Sequence, residues 1–263
     1  MKLDRISLRV AAAITIVVSA SRVAPAGNER EILAPTGKLR IGVYPGSPTS
    51  MVQEAKTGET HGLSVDLGKE LAKRLDIPFE MIQFQRIADV LEAMKPGGVD
   101  ITVSNATPAR AQDIAFSQTL LSIELGVLVP AGSAIATIAD VNKPGVRVGV
   151  TQGSTSERTL PKLLPNATVT PAQNLKAAIE MFARRELDAF ATNKAILFEM
   201  SDQMPGAQVL DGRWGVEHLA VAIPRGREGG LEYLRRFVTD VQSSGFLARA
   251  VERAGLRGSA KAE

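Results

Sequence analysis

The sequence predicts an α/β chain built as two lobes of one plan, and three observations predict it. First, ADVLEAMKPGGVDITVSN (88–105) lies over KAAIEMFARRELDAFATN (176–193) without a gap. Both read as an amphipathic helix, a turn and a short buried strand. Val90, Leu91 and Met94 in one answer Ala178, Ile179 and Phe182 in the other, all at helical spacing. Second, LRIGVYPGSP (39–48) echoes VRVGVTQGST (146–155): a β-branched strand carrying Gly42 or Gly149 runs into a Gly-Ser turn, after which a helix is expected. Third, strands alternate with helices, the pattern of a mainly parallel sheet covered on both faces. Two echoes in the same order predict two lobes rather than one continuous sheet.

The chain opens with an export pattern. Lys2, Arg5 and Arg9 lead into the apolar run Val10–Val18, and small residues follow. Ala24-Pro25-Ala26 suits cleavage before Gly27, and Val18-Ser19-Ala20 is a second acceptable site. The apolar run is short for a bilayer span, which leaves an uncleaved anchor as the alternative. Residues 1–26 hold four of the 31 basic side chains and one of the 28 acidic ones, leaving 27 of each in a formally neutral mature chain. The net charge of +3 therefore makes no case for nucleic acid or acidic membranes. Without cysteine there is no disulfide, no thiolate metal site and no lipid-bearing Cys at the signal junction. The expectation is a periplasmic protein, exported by a cleaved signal peptide and without a lipid anchor.

With 44% hydrophobic residues, the chain can fill two modest cores. Residues 27–37 read as a linker, Leu39–Tyr44 as a strand and residues 46–62 as a polar loop. VDLGKELAKRL (65–75) is a helix that stops before Pro78. A strand over Phe79–Phe84, a helix over Ile87–Met94 and a strand ending at Asn105 complete the first unit. The second unit repeats it up to the strand ending at Asn193, where Lys194 opens a helix.

Chemistry is bounded by subtraction. His61 and His218 are the only histidines, and neither has metal-ligand spacing. Nucleophile-elbow, Walker A, dinucleotide-fingerprint and S-x-x-K patterns are missing. No catalytic residue, metal or cofactor is expected, and a binding protein is favoured over an enzyme.

Six segments in order carry a family resemblance: LRIGV, GLSVDLGKELAKRL (62–75), VDITVSNATPARAQDIAFS (99–117), VRVGVTQGSTSE (146–157), ELDAFATN (186–193) and FLARAVERAGL (246–256). Over about residues 38–256 the chain resembles the bacterial extracellular solute-binding proteins, family 3, of polar amino-acid ABC transporters. The resemblance implies an α/β, two-lobed periplasmic-binding-protein-like (type II) fold with a ligand cleft between lobes joined by two crossover strands. IELGVLV (123–129) stands as the outgoing crossover and EHLAVAI (217–223) as the return. Lobe 1 is then discontinuous, residues 27–124 and 219–263, and lobe 2 is residues 125–218. Ligands of open α/β sheets bind beyond the carboxyl ends of strands. Ser104-Asn105 and Thr192-Asn193 are therefore expected to face each other across the cleft.

By the same resemblance, Arg110 grips a ligand α-carboxylate, which suits a planar guanidinium with two parallel donors. Ser104, Asn105 and Thr107, just before it, are expected to bind the same ligand, as are Asn193 and Lys194 from the other lobe. Gln152, Gly153, Ser154 and Thr155 close a strand and open a helix, so backbone N–H groups and two hydroxyls can meet the same carboxylate; an ordinary helix cap is the alternative. Tyr44 with Ser47, and Gln85-Arg86-Ile87, stand where the family builds walls for the ligand side chain. Tyr44 and Ile87 are expected to line that wall, and Arg86 reads as a solvated helix-start residue. Two departures from the family matter. The span from Asp100 to Arg110 is shorter than usual, and Asn193 stands where many amino-acid binders set an Asp against the ligand ammonium. An amide lacks that charge, and Lys194 adds a cation beside it. The expected ligand is therefore anionic, or has its amine absent or masked, unless another carboxylate such as Glu124 enters the cleft.

Function then reads as the substrate-binding component of an ABC importer, closing by a hinge over a small amino-acid-like or organic-acid solute and delivering it to a membrane permease. The expected partners are a carboxylate-bearing ligand and that permease, with no nucleic acid and a monomeric chain. The alternatives are a cyclohexadienyl-dehydratase-like enzyme on the same scaffold, which needs a cleft acid, and a periplasmic sensor module.

Overall fold

A computed structural model describes residues 27–54 and 57–260. The export segment expected over residues 1–26 lies outside the described residues. Gly27–Leu33 form a helix, α1, rather than a linker. The reason is tertiary: Leu33 has no solvent exposure and lies against Gly230, almost the whole chain away.

The first unit comprises β1 (Leu39–Val43), a short hairpin of β2 (Val52–Gln53) and β3 (Thr60–His61), then α2 (Leu63–Leu75), β4 (Phe79–Gln83), α3 (Ile87–Met94) and β5 (Thr102–Asn105). Leu63, Leu67, Leu71 and Leu75 recur every fourth residue on α2 and are all buried, which fixes the helix on the sheet. After β6 (Ile114–Phe116), the chain leaves along β7 (Leu121–Val129). The second unit is β8 (Arg147–Thr151), α4 (Thr155–Leu163), β9 (Thr168–Ala172), α5 (Leu175–Ala183), β10 (Ala189–Asn193) and α6 (Lys194–Asp202). The short β11 (Gln208–Val209) precedes the return strand β12 (Gly215–Pro224), and α7 (Leu231–Ser243) and α8 (Phe246–Arg253) close the chain.

Strands β1 and β4 pair in parallel, and β1 touches the start of the β5 region through an Ile41–Ile101 bridge. The main sheet runs β5-β12-β7-β10-β8-β9. The ladder is thus continuous from one half to the other, where the repeat predicts two sheets. The crossovers cause this, because Leu121–Leu125 of β7 lie antiparallel to Leu219–Gly215 of β12. What separates the lobes is their cores: Ile41, Leu71, Val221 and Phe237 share one cluster, whereas Phe190 and Leu197 belong to a second and Val148 and Leu160 to a third.

The repeat is visible at atomic detail. Arg40 donates its backbone N (2.8 Å), Nε (2.9 Å) and Nη2 (2.7 Å) to Asp100. Arg147 donates its N (2.8 Å), Nε (2.9 Å) and Nη2 (2.9 Å) to Asp188 in the same way. In both units an arginine at the start of a strand, β1 or β8, thereby clamps the acid just before the strand that ends at the cleft, β5 or β10. Gly42 and Gly149 also correspond: a Cβ on either would lie 2.5 Å from Val90 or Leu187, side chains of the following helix-strand unit.

Candidate functional site

The repeated strands β5 and β10 end at Asn105 and Asn193, and both asparagines are buried on one cleft. Each amide is oriented by the backbone: Asn105 Oδ1 accepts from His218 N (3.1 Å), and Asn193 Oδ1 accepts from Ile196 N (3.1 Å) as the N-cap of α6. Their carbonyl oxygens being occupied, both Nδ2 groups turn to Glu217. Asn193 donates to Oε2 at 3.0 Å and Asn105 to Oε1 at 3.5 Å.

Glu217 stands on the return crossover β12 and is 9% exposed. Burial pushes its carboxyl above the ordinary glutamate value, opposed by the Arg110 cation and the two asparagine amides. Glu217, and not Glu124, is the carboxylate of the cleft. Glu124 accepts from Lys194 Nζ at 2.6 Å and from Arg213 at 3.3 Å, and its hydrogen bond with Lys194 holds its carboxyl low. Neither Glu124 nor Lys194 lines the cleft.

Arg110 follows β5 and is 8% exposed. Its Nη1 donates to Ser104 Oγ (2.8 Å) and Asn105 O (3.4 Å), while its Nε is buried without a partner. Burial lowers the affinity of Arg110 for its proton, and Glu217 restores part of it. The two charges influence each other, yet the described residues include no ion pair between them. The cleft therefore holds a buried cation and a buried carboxyl with a gap between.

The other residues named from sequence divide in two groups. Tyr44, Ile87, Ser104, Ser154 and Thr155 line the cleft beside Asn105, Arg110 and Asn193. Thr155 Oγ1 is buried without a partner, and Ser154 caps α4 through its bond to Glu157 N at 3.2 Å. Burial pushes the Tyr44 phenol up, and the Ser47 hydroxyl opposes this. Ser47, Thr107, Gln152 and Gly153 do not line it. Ser47 bonds Thr49 at 2.9 Å, Thr107 Oγ1 accepts from Arg110 N at 3.3 Å, and Gly153 packs closely on Ala88 of α3. Gln152 accepts from Arg86 Nη1 at 2.6 Å, so Arg86 is anchored rather than merely solvated. Sequence reasoning missed Glu217 as a site residue, along with Thr151, Leu175 and Ile196 on the wall.

Among the described residues, no helix is long and apolar enough to cross a membrane, and no group of three or more acidic or histidine side chains is placed to hold a metal. The model for bacterial extracellular solute-binding proteins, family 3, matches residues 39–255. The ABC transporter glutamine-binding protein GlnH of Bacillus subtilis (strain 168) is 24% identical over 212 residues, spanning 79% of this chain and 77% of that protein. The histidine-binding periplasmic protein of Salmonella typhimurium is 34% identical over 125 residues, 46% of each chain. Of solved structures, the ancestral amino acid-binding protein AncCDT-1, a precursor of cyclohexadienyl dehydratase, aligns with a TM-score of 0.74 at 26% identity over 86% of this chain and 98% of its own. A mutant of ArgBP from T. maritima aligns with a TM-score of 0.77 at 19% identity over 86% and 99%, a likeness of fold alone. With a two-lobed α/β fold, a cleft at its strand ends and a match over residues 39–255, the chain belongs to the bacterial extracellular solute-binding proteins, family 3.

Proposed function

We propose that this protein is the periplasmic, monomeric substrate-binding component of an amino-acid ABC importer, that it takes a zwitterionic α-amino acid, and that it is not an enzyme. The observation that carries this reading is the separated pair of buried charges, Arg110 and Glu217. An α-amino acid bears the two opposite charges on either side of one Cα. Its carboxylate takes the unpartnered Arg110 Nε and the Thr155 hydroxyl, and its ammonium takes Glu217. Each buried charge then gains the counter-charge without which burial is costly. The charge that Asn193 lacks is supplied by the carboxylate to which Asn193 donates. An acid without an amine leaves Glu217 uncompensated, which reverses the ligand preference drawn from Asn193 alone. The glutamine- and histidine-binding relatives support an amino-acid ligand and delivery to a permease.

Mass spectrometry of native protein purified without refolding tests the reading. Release of an α-amino acid supports it, and an amine-free acid that binds as tightly as any amino acid overturns it. Glu217 also favours a second reading. A carboxyl whose pKa is raised by burial can remain protonated and act as a general acid. That is the cleft acid a cyclohexadienyl-dehydratase-like enzyme needs, and AncCDT-1 is a precursor of such an enzyme. Turnover of prephenate or arogenate decides for the enzyme, and binding of an amino acid without turnover of either decides for the receptor.

A further inference from the structure

We propose that Arg86 and Gln85 form a side-chain subsite that selects α-amino acids carrying an oxygen acceptor, a carboxylate or a carboxamide, and rejects cationic side chains; this rests on the zwitterion reading above. Arg86 immediately precedes α3 and is held by three acceptors. Its Nε donates to Asp89 Oδ1 at 3.1 Å, and its Nη1 donates to Gln152 Oε1 at 2.6 Å and to Gln173 O at 3.2 Å. Two of these acceptors lie in the second unit, so the guanidinium is fixed across the cleft rather than waving in solvent. Its Nη2 makes no hydrogen bond within the described protein, and neither does the Gln85 amide. Both residues line the cleft.

The charge pattern makes the selection. Among the described residues, Arg86, Arg110 and Glu217 are the only charged ones on the wall, and the last two are committed to the ligand's carboxylate and ammonium. A side chain reaching the Gln85-Arg86 end meets a guanidinium and an amide, since the carboxylate nearby, Asp89, is bound to Arg86 Nε and does not line the cleft. A lysine or arginine side chain would lose water there beside a like charge. A carbonyl or carboxylate oxygen would instead take the Nη2 donor in a charge-assisted bond, with Gln85 as a second donor.

Calorimetry on ligand-stripped protein with L-glutamine, L-glutamate, L-alanine and L-lysine tests this in wild type, Arg86→Met and Gln152→Ala. Wild type should bind glutamine or glutamate about 10- to 100-fold more tightly than alanine, and lysine more weakly than alanine. The glutamine and glutamate arms tell carboxamide from carboxylate. Arg86→Met should erase the preference over alanine. Gln152→Ala removes an anchor but not Nη2, so it should weaken all ligands alike and keep the preference. Lysine binding more tightly than glutamine and glutamate, or a preference that survives Arg86→Met, overturns the subsite while leaving the zwitterion reading intact. Failure of all four amino acids to bind overturns both.

Discussion

Replacing Glu217 by Gln removes one charge from the cleft and little else. Gln keeps the shape, and its Oε1 can accept the 3.0 Å bond from Asn193, leaving its amide against the longer 3.5 Å contact with Asn105. What disappears is the counter-charge for the ligand ammonium. At an effective dielectric of about 20, opposite unit charges about 4 Å apart attract by about 4 kcal/mol. Truncating one partner of a buried charge pair costs about 2–5 kcal/mol, so affinity for a zwitterionic amino acid should fall by about 30- to several thousand-fold. The free protein should respond differently. Glu217 has a folded pKa above its ordinary 4.5, so its contribution to stability is fully present below that value and lost as pH rises through the folded pKa. Above that folded pKa the variant should therefore melt no lower than wild type. An arriving ammonium lowers the Glu217 pKa, so at a pH near or below the folded value wild type should release protons on binding, seen as a dependence of calorimetric heat on buffer ionisation enthalpy, and the variant should not. Wild-type affinity for the amino acid in Glu217→Gln would refute the reasoning.

Arg110→Ala should abolish ligand-induced thermal stabilisation, a loss of about 2–5 kcal/mol in binding, while leaving the unliganded melting temperature nearly unchanged; wild-type affinity would remove Arg110 from the site. Asn193→Asp sets a second carboxyl about where Nδ2 now meets Glu217 at 3.0 Å, so the two acids must share a proton. The pair's folded pKa rises further, and the variant's melting temperature should drop at neutral pH and recover in acid; a pH-independent deficit would argue against the pairing. Asp100 is fully buried between Arg40 and Arg227, whereas Asp188 is partly exposed in the corresponding clamp with Arg147. Asp100→Asn should cost about 3–5 kcal/mol in urea unfolding and Asp188→Asn about 1 kcal/mol or less, and equal costs would refute the burial argument.

The doubled plan is legible in the sequence because the repeat is carried by residues that do the same mechanical job twice. Arg40 and Arg147 open the echoed strands, Asp100 and Asp188 open the echoed strand ends, and each pair makes the same three bonds. Asn105 and Asn193 are legible for a local reason: both end a short apolar strand, where the next side chain must leave the sheet. Glu217 is hidden by register. In VEHLA the alternation separates Glu217 and Leu219 from His218, and the structure turns the first two to the cleft while His218 bonds Ser122 Oγ at 2.9 Å. Which set faces the cleft is decided by pairing of Leu219 with Asn105 and of Glu217 with Ile123, partners about a hundred residues away. The helix α1 is hidden for the same reason, since its partner near Gly230 is remote. Lys194 shows the converse error. It adjoins Asn193 in sequence, but as the first residue of α6 its side chain leaves the cleft and packs along Gly126 to reach Glu124.

In the proposed receptor, an acid on β12 rather than at position 193 changes which part of the molecule holds the ligand's charges. Arg110 follows β5, and Glu217 stands on the strand that pairs with β5 and with the outgoing crossover. Both charges therefore stand at two adjacent strands of the sheet, β5 and β12, and the second unit brings the Asn193 amide, the α4 hydroxyls and the acceptors of Arg86. In the proposed receptor, a zwitterion can satisfy both buried charges without any contact from the second unit. Closure then adds neutral hydrogen bonds and the Arg86 anchors. It also strengthens the charges already paired, because Asn193 donates to Glu217 from the far side and water is excluded from between Arg110 and Glu217. An Asp at position 193 would instead bring a charge in with the moving part, so that an open cleft would hold the ammonium against water alone. Asn193 lacks a charge because its neighbour across the cleft already carries it, and the amide lets two strand ends approach one carboxylate without repulsion.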